Sequence, residues 1–369
     1  MSTLLLRTIQ RPNHARAWRN LHRSINYSAS RASASTQSTL SGSPFAIKNV
    51  LLVQKLQDAK VSRAVDQVVN HIHDKYPHVH IFHEASPLHP ADPPQNTEVY
   101  QHRGAQEDKP SIDLVITLGG DGTILHASSL FSNGPVPPVL SFSLGTLGFL
   151  LPFSFDTLEQ ALSDVFHGRV SILPRMRLMC TMKTAEGVEK PRKNSIGTKN
   201  IQKSLNQILG AEVMNEISLH RGRSPHLTSV DAYVDGQHLT AAVSDGLIVA
   251  TPTGSTAYSL SSGGPIVHPS VSALLLTPVS PMSLSFRPLV LPGTSTVRLQ
   301  MNKSSRTLAY ISMDGRDVGK LYPGEYLEVA ASKHPIPCIK RSNHPGEDHW
   351  VHDINTLLGF NVSFKRSNL

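Results

Sequence analysis

A strand-like apolar run, Ile112–Leu118 (IDLVITL), stops at Gly119-Gly120-Asp121-Gly122-Thr123, and a helix-compatible stretch, Ile124–Phe131, follows directly. Continuous apolar runs of this length belong to strands covered on both faces, as in parallel sheets. A strand, a glycine turn and a helix in that order put the turn at the carboxyl edge of the sheet, where open α/β sheets take ligands. Glycines there let backbone N–H groups approach a phosphate with no Cβ between, and the helix N-terminus adds positive potential. An aspartate is out of place as a plain phosphate contact, because like charges repel. It fits beside a hydroxyl nucleophile whose proton it accepts, or beside a phosphate-bound metal ion. The bland alternative is a tight turn in which Asp121 caps the helix.

The flanking chain agrees with a parallel sheet. Residues 46–54 and the runs Val79–His83 and Val139–Ser143 read as strands, and Leu158–Phe166 reads as a helix. Val61, Val65, Val68, Val69 and Ile72 recur at helical spacing, which predicts an amphipathic helix over 59–75. Strands alternating with helices predict helices on both faces of the sheet. Residues 85–111 hold five prolines and no periodicity, and read as a surface insertion. After about residue 173 the period changes to that of short strands: Arg177–Lys183, Ala211–His220, Ser229–Val234, Leu239–Val243, Leu247–Thr251, Ser283–Phe286, Thr296–Met301, Ala309–Met313 and Tyr326–Val329. Asp235-Gly236 between two of them is a hairpin signal. Residues 185–207 are polar and basic and read as an insertion, and Trp350–Phe360 reads as a helix. The expected fold is a Rossmann-like α/β domain over 45–174 and a β-rich, sandwich-like domain over 175–330, with the helix of a 331–369 segment packing back on the first.

The net charge of +8 points to nucleic acid only until it is located. Six arginines, Arg7, Arg11, Arg16, Arg19, Arg23 and Arg31, lie before residue 45, and the first acid is Asp58. The remaining body is nearly neutral, which argues against nucleic-acid binding. An Arg- and Ser-rich, acid-free leader has the composition of a transit peptide, so residues 1–44 predict a mitochondrial (matrix) address. No run approaches the roughly 18 apolar residues of a membrane span. Cys180 and Cys338 are too few for a disulfide framework, and the histidines show no zinc-type spacing.

Two more stretches carry chemistry. Thr251–Gly264 (TPTGSTAYSLSSGG) is dense in hydroxyls and glycines and uncharged, which suits a ribose, an amide or a pyrophosphate better than a surface linker. Asn215-Glu216 sits inside the apolar run Val213–Leu219, where an amide and an acid must find partners or cost several kcal/mol. A carboxylate accepting from two ribose hydroxyls is one solution; a hairpin end is the other.

Together these blocks resemble the NAD kinase family: GGDGT at 119–123, NE at 215–216, SDGLIVATPTGSTAYSLSSGGPIVHP at 244–269 and SLSFRPLVLP at 283–292. The ending DHWVHDINTLLGFN, 348–361, is similar to the fungal members. GGDG alone is shared with lipid kinases and phosphofructokinases, but the 244–269 block is not. The resemblance implies a kinase that uses ATP to phosphorylate the 2′-hydroxyl of NAD⁺ or NADH in a cleft between the two domains, with Mg²⁺ carried on ATP and a homodimer or homotetramer as the assembly. It makes Asp121 the group that orients and deprotonates the hydroxyl. Gly119, Gly120, Gly122 and Thr123 would lie against the phosphates. Asn215 and Glu216 would hold the dinucleotide, and Asp245 its nicotinamide end. Phe149, Thr253, Thr256, Ala257, Tyr258 and Ser261 would line the pocket. His226 and Arg316 fall where relatives contact ligand, on a weaker local match. The rivals are a lipid kinase with the same GGDGT turn, which needs an apolar acyl-chain cavity, and a non-catalytic dinucleotide sensor.

Overall fold

The computed structural model describes residues 47–55, 58–84, 96–100, 110–132, 134–145, 148–183, 211–340 and 349–360. The expected leader over 1–44 and the insertion over 185–207 lie outside them. The chain opens with β1 (Asn49–Gln54), α1 (Ala59–Lys75), β2 (His80–Glu84), β3 (Glu98–Tyr100), β4 (Leu114–Gly119), α2 (Asp121–Ser129) and β5 (Val139–Ser143). These five strands lie side by side, all parallel, in the order β3-β2-β1-β4-β5. Side chains alternate across each strand. Val50 and Leu52 therefore meet Val61, Val65, Val68 and Ile72 of α1 and the helix Leu158–Phe166 on one face. Leu51 and Val53 meet Ile124, Ala127 and Leu130 around α2 on the other.

Helix α1 starts at Asp58, whose carboxylate accepts from the Lys60 amide at 3.0 Å. Replacing Asp58 with alanine leaves that amide without its cap and is expected to lower stability by about 1 kcal/mol, measurable by urea denaturation.

The sheet's strand order reverses between β1 and β4, and this switch point is where such sheets open a crevice at their carboxyl ends. The Gly119–Thr123 turn leaves β4 at that edge.

Beyond residue 178, two six-stranded antiparallel sheets pack face to face. One contains Glu216–His220, Gly246–Ala250, Ala273–Val279 and Ala309–Met313. The other contains Leu178–Lys183, Thr228–Val234, Val297–Met301 and Tyr326–Ala331. Their inward residues, among them Ile217, Leu247, Val230, Leu299 and Leu327, form one continuous core. The chain then returns to the first sheet: Ile336–Ile339 pairs parallel with β5 and antiparallel with Ile172–Arg175. The final helix, Trp350–Leu358, sets Trp350 edge-on to His268 at 4.7 Å, just beyond the hydroxyl-rich stretch. The strand Ile336–Ile339, which the sequence reading did not foresee, is what brings the chain back to the first sheet.

Other expectations are corrected. The 85–111 segment holds a true edge strand, β3, anchored by buried Tyr100. Ala211–His220 is not one strand but two: Ala211–Val213 belongs to one sheet and Glu216–His220 to the other. Ser283–Phe286 is a turn, with the strand following at Leu289–Pro292. Ala273–Val279, unforeseen as a strand, is a fully paired inner one. It lacks alternation because it is covered on both faces, and Pro278 near its end disguises it.

Arg177 joins the two halves. Its side chain is fully buried and pairs with Glu212 at 2.8 Å. It also donates to the carbonyls of Phe131 and Gly134 in the first half and of His334 in the returning segment. Glu212 in turn accepts from Ser332. A guanidinium with this many acceptors is the arrangement that makes a buried charge tolerable.

Candidate active site

Asp121 is the first residue of α2, and Gly120 is the N-cap. Its carboxylate does not cap its own helix. Instead its two oxygens accept from the Phe149 amide at 3.0 Å and the Leu150 amide at 3.1 Å, in the loop beyond β5. A carboxylate at a helix N-terminus is favoured by the dipole. Burial pushes its pKa up, while the two amides and the nearby Arg175 guanidinium pull it down. The clamp depends on Gly148: a Cβ there would sit 2.1 Å from Asp121 Oδ1. Gly148→Ala must therefore displace the carboxylate, and is expected to cut turnover about tenfold with little change in dinucleotide affinity. Steady-state rates beside a calorimetric binding curve would check it.

The glycines of the turn divide by role. Gly119 has φ +155°, and a Cβ on it would meet Thr123 Oγ1 at 2.4 Å, so Gly119 and buried Thr123 serve the tight turn itself. Gly120 and Gly122 are exposed, and a Cβ on either would meet nothing within 4 Å. No neighbouring atom of the described residues requires glycine at these two positions.

In the second half, Asn215-Glu216 marks the point where the chain crosses from one sheet to the other. Asp314, at the tip of a hairpin, accepts from the amides of Met214 at 3.0 Å, Asn215 at 2.7 Å and Glu216 at 3.3 Å. Asp314 and Gly315 have φ of +46° and +75°, the conformation of a two-residue hairpin loop. Thr251 locks the same corner, donating its hydroxyl to the Met214 carbonyl at 2.7 Å. Gly254 of the turn Thr253–Thr256 lies flat on Asn215, whose carbonyl would be 2.2 Å from any Cβ. Glu216 is buried, and burial with Asp314 beside it raises its pKa to about 7, although the Tyr258 amide donates to it. Asn215 Oδ1 and Glu216 Oε2 are buried acceptors with no donor among the described residues. Tyr258, exposed, lies in reach of the charges of both Glu216 and Asp245, and Asp245 pairs with Arg221 at 2.7 Å.

Arg175 connects the two clusters, donating to the Phe149 carbonyl at 3.4 Å and to Thr253 Oγ1 at 3.3 Å. The structure thus brings Asp121, Phe149, Thr253, Asn215, Glu216, Tyr258 and Asp245 into one chain of contacts. Thr256 and Ala257 close the same turn through Thr253 and Gly254, and Ser261 ends the next helix, exposed. Phe149 enters through its backbone more than its ring. Arg316 reaches Ser129 and His126 of α2, tying the Asp314 hairpin to the first half. His226 is exposed in a loop, where its amide meets Ser224. Arg175, Gly148 and Asp314 were not singled out from the sequence. Only Asp314 had a legible signal, its Asp-Gly hairpin pair.

A half-buried carboxylate fixed at a glycine turn on the carboxyl edge of a parallel sheet, joined through Arg175 to a corner with unmet buried acceptors, fits a phosphotransferase acting on an alcohol. Comparison with known proteins makes the class particular. The ATP-NAD kinase N-terminal domain matches residues 50–170 and the ATP-NAD kinase C-terminal domain residues 214–341. The chain belongs to the NAD kinase family. It is 43% identical over 320 residues to the mitochondrial NADH kinase pos5 of Schizosaccharomyces pombe, covering 86% of this chain and 76% of that one. It is 37% identical over 361 residues to the mitochondrial NADH kinase POS5 of Saccharomyces cerevisiae, covering 86% and 82%. Among solved structures, yeast NADH kinase complexed with NADH aligns with a TM-score of 0.72 at 38% identity, covering 88% of this chain and 91% of that one. An Archaeoglobus fulgidus NAD kinase in complex with ATP, at 21% identity and a TM-score of 0.55 over 84% and 97% of the chains, shares the fold.

Proposed function

We infer that this NAD(H) kinase transfers the γ-phosphoryl group of ATP to the 2′-hydroxyl of the adenosine ribose of NAD⁺ or NADH. The hydroxyl oxygen bonds to the γ-phosphorus as the bond to the β–γ bridging oxygen breaks, ADP leaves, and Asp121 takes the hydroxyl proton. The observation that carries this reading is the pair of unmet buried acceptors, Asn215 Oδ1 and Glu216 Oε2. A buried acceptor without a donor costs about 1–3 kcal/mol, and ribose hydroxyls supply the missing donors. Gly120 and Gly122 leave the opposite wall open for phosphates. ATP enters as its Mg²⁺ complex, the ion neutralising phosphate charge. Both Asp121 oxygens are already engaged by amides, and among the described residues no group of three His, Cys, Asp or Glu is placed to hold an ion.

Two of the fungal kinases similar to this chain are NADH kinases, and a solved relative is complexed with NADH; NADH is therefore proposed as the better acceptor. The protein is mitochondrial, with the matrix as the proposed compartment for the NADPH it makes. A homodimer or homotetramer is the proposed assembly. Among the described residues no helix is long and apolar enough to cross a membrane. The test is to incubate purified protein and MgATP with NAD⁺, NADH or a diacylglycerol, and to measure NADP⁺, NADPH and phosphorylated lipid. NADP(H) formation that requires ATP is expected. Lipid phosphorylation alone, or dinucleotide binding without turnover, would reject the reading in favour of a rival.

A further inference from the structure

We propose that Arg175 is a positioning residue for phosphoryl transfer, its guanidinium holding the loop that clamps Asp121 against the turn that carries Thr253. This rests on the kinase reading above and deepens it.

Two arginines two residues apart differ in their surroundings: Arg177 is fully buried and Arg175 is half-buried. Arg177 has a carboxylate partner and three backbone acceptors, so its charge is fully compensated. Arg175, two residues earlier, forms no ion pair among the described residues. Its hydrogen bonds are long, 3.3 Å to Thr253 and 3.4 Å to the Phe149 carbonyl, and its Nε is buried with no partner. A half-buried guanidinium held by two long contacts to neutral acceptors adds little as a structural strut. A fold that needed only a strut there has Arg177 as its example of how to build one.

What Arg175 reaches gives the reason. The Phe149 carbonyl belongs to the residue whose amide holds Asp121. Thr253 belongs to the turn whose Gly254 lies on Asn215, beside the unmet acceptors. One guanidinium thus spans the base's clamp in the first half and the dinucleotide turn in the second. It is also the charged side chain that acts on Asp121 and lowers its pKa. The other charges near that edge are engaged elsewhere: Lys55 with Asp58 at 3.7 Å, and His126 with Glu84 at 2.5 Å and Arg316 at 3.1 Å. Cys338, which Arg175 also touches, is buried with its thiol pushed up to about 11, so it stays neutral.

The experiment compares wild type, Arg175→Met and Arg175→Lys by the pH dependence of kcat, which reports groups in the enzyme–substrate complex. Arg175→Met removes the cation, so Asp121 should hold its proton to higher pH. The acid limb of kcat is expected to move alkaline and the plateau to fall about 10- to 100-fold, with the dinucleotide KM nearly unchanged. Arg175→Lys keeps the charge but cannot bridge both acceptors; its acid limb should stay in place while kcat falls about tenfold. A loss confined to KM, or an acid limb unmoved in Arg175→Met at normal kcat, overturns the proposal. Should Arg175→Met fail to fold, undiminished kcat in Arg175→Lys overturns it alone. Wild-type protein that makes no NADP(H) overturns the kinase reading and this one with it, which separates the two failures.

Discussion

Asp121→Asn is expected to lower turnover by about 10²-fold or more while dinucleotide binding survives. Two losses combine. An amide does not accept a proton, so the hydroxyl must attack without a base. The clamp also fails: Asp121 meets two amide N–H donors, one on each oxygen, and asparagine would turn an NH₂ group toward one of them. Gly148 leaves no slack, since its backbone already lies within van der Waals range of the carboxylate. Asn215 and Glu216, the proposed dinucleotide contacts, stand on Asp314 and Thr251 instead, and neither depends on Asp121. The measurement is kcat together with a calorimetric dissociation constant for NADH. Near-normal kcat would remove Asp121 from the base role; a dissociation constant weakened as much as kcat would recast it as a binding residue.

The Asp121 turn was legible in the sequence because it is local. A strand, a glycine turn and a helix within 20 residues announce themselves by composition, and α1, β5 and Leu158–Phe166 were found at their observed bounds for the same reason. What was not legible is what long-range packing decides. Phe149 was read as part of the pocket lining; that its amide grips Asp121 was not legible, because no pattern marks an amide donor 28 residues away. Asn215-Glu216 looked like part of one strand because apolar Val213, Met214, Ile217 and Leu219 flank it on both sides. The break comes from Asp314, 100 residues on from Met214, turning three amides toward itself. Arg175 was one basic residue in a short strand, and its meaning appears only when Thr253 and Phe149 stand on either side of it.

The corner at Glu216 yields the other large effect, one in which stability and function move oppositely. Its folded pKa of about 7 stands above the ordinary 4.5, because burial and Asp314 both disfavour the anion. The folded state therefore holds a proton that the unfolded chain has released, and stability falls as pH climbs from about 4.5 to about 7. Above that window the whole penalty, on the order of 3 kcal/mol, is carried by the free enzyme. Glu216→Gln keeps the shape, still accepts from the Tyr258 amide and presents no charge to Asp314. At pH 8 it is expected to melt several degrees above wild type, with the gap closing toward pH 4. The ligand sees the reverse. Ribose hydroxyls donate best to a carboxylate, so the variant's dinucleotide dissociation constant should weaken by about 10- to 100-fold. Binding must also draw the wild-type pKa down and release a proton near pH 7, so wild-type affinity should rise with pH through that range. Calorimetry in two buffers of different ionisation enthalpy would count the proton. A Glu216→Gln protein less stable than wild type at pH 8 would mean the carboxylate is not under strain. Affinity in that variant equal to wild type would mean the strain is not kept for the ribose.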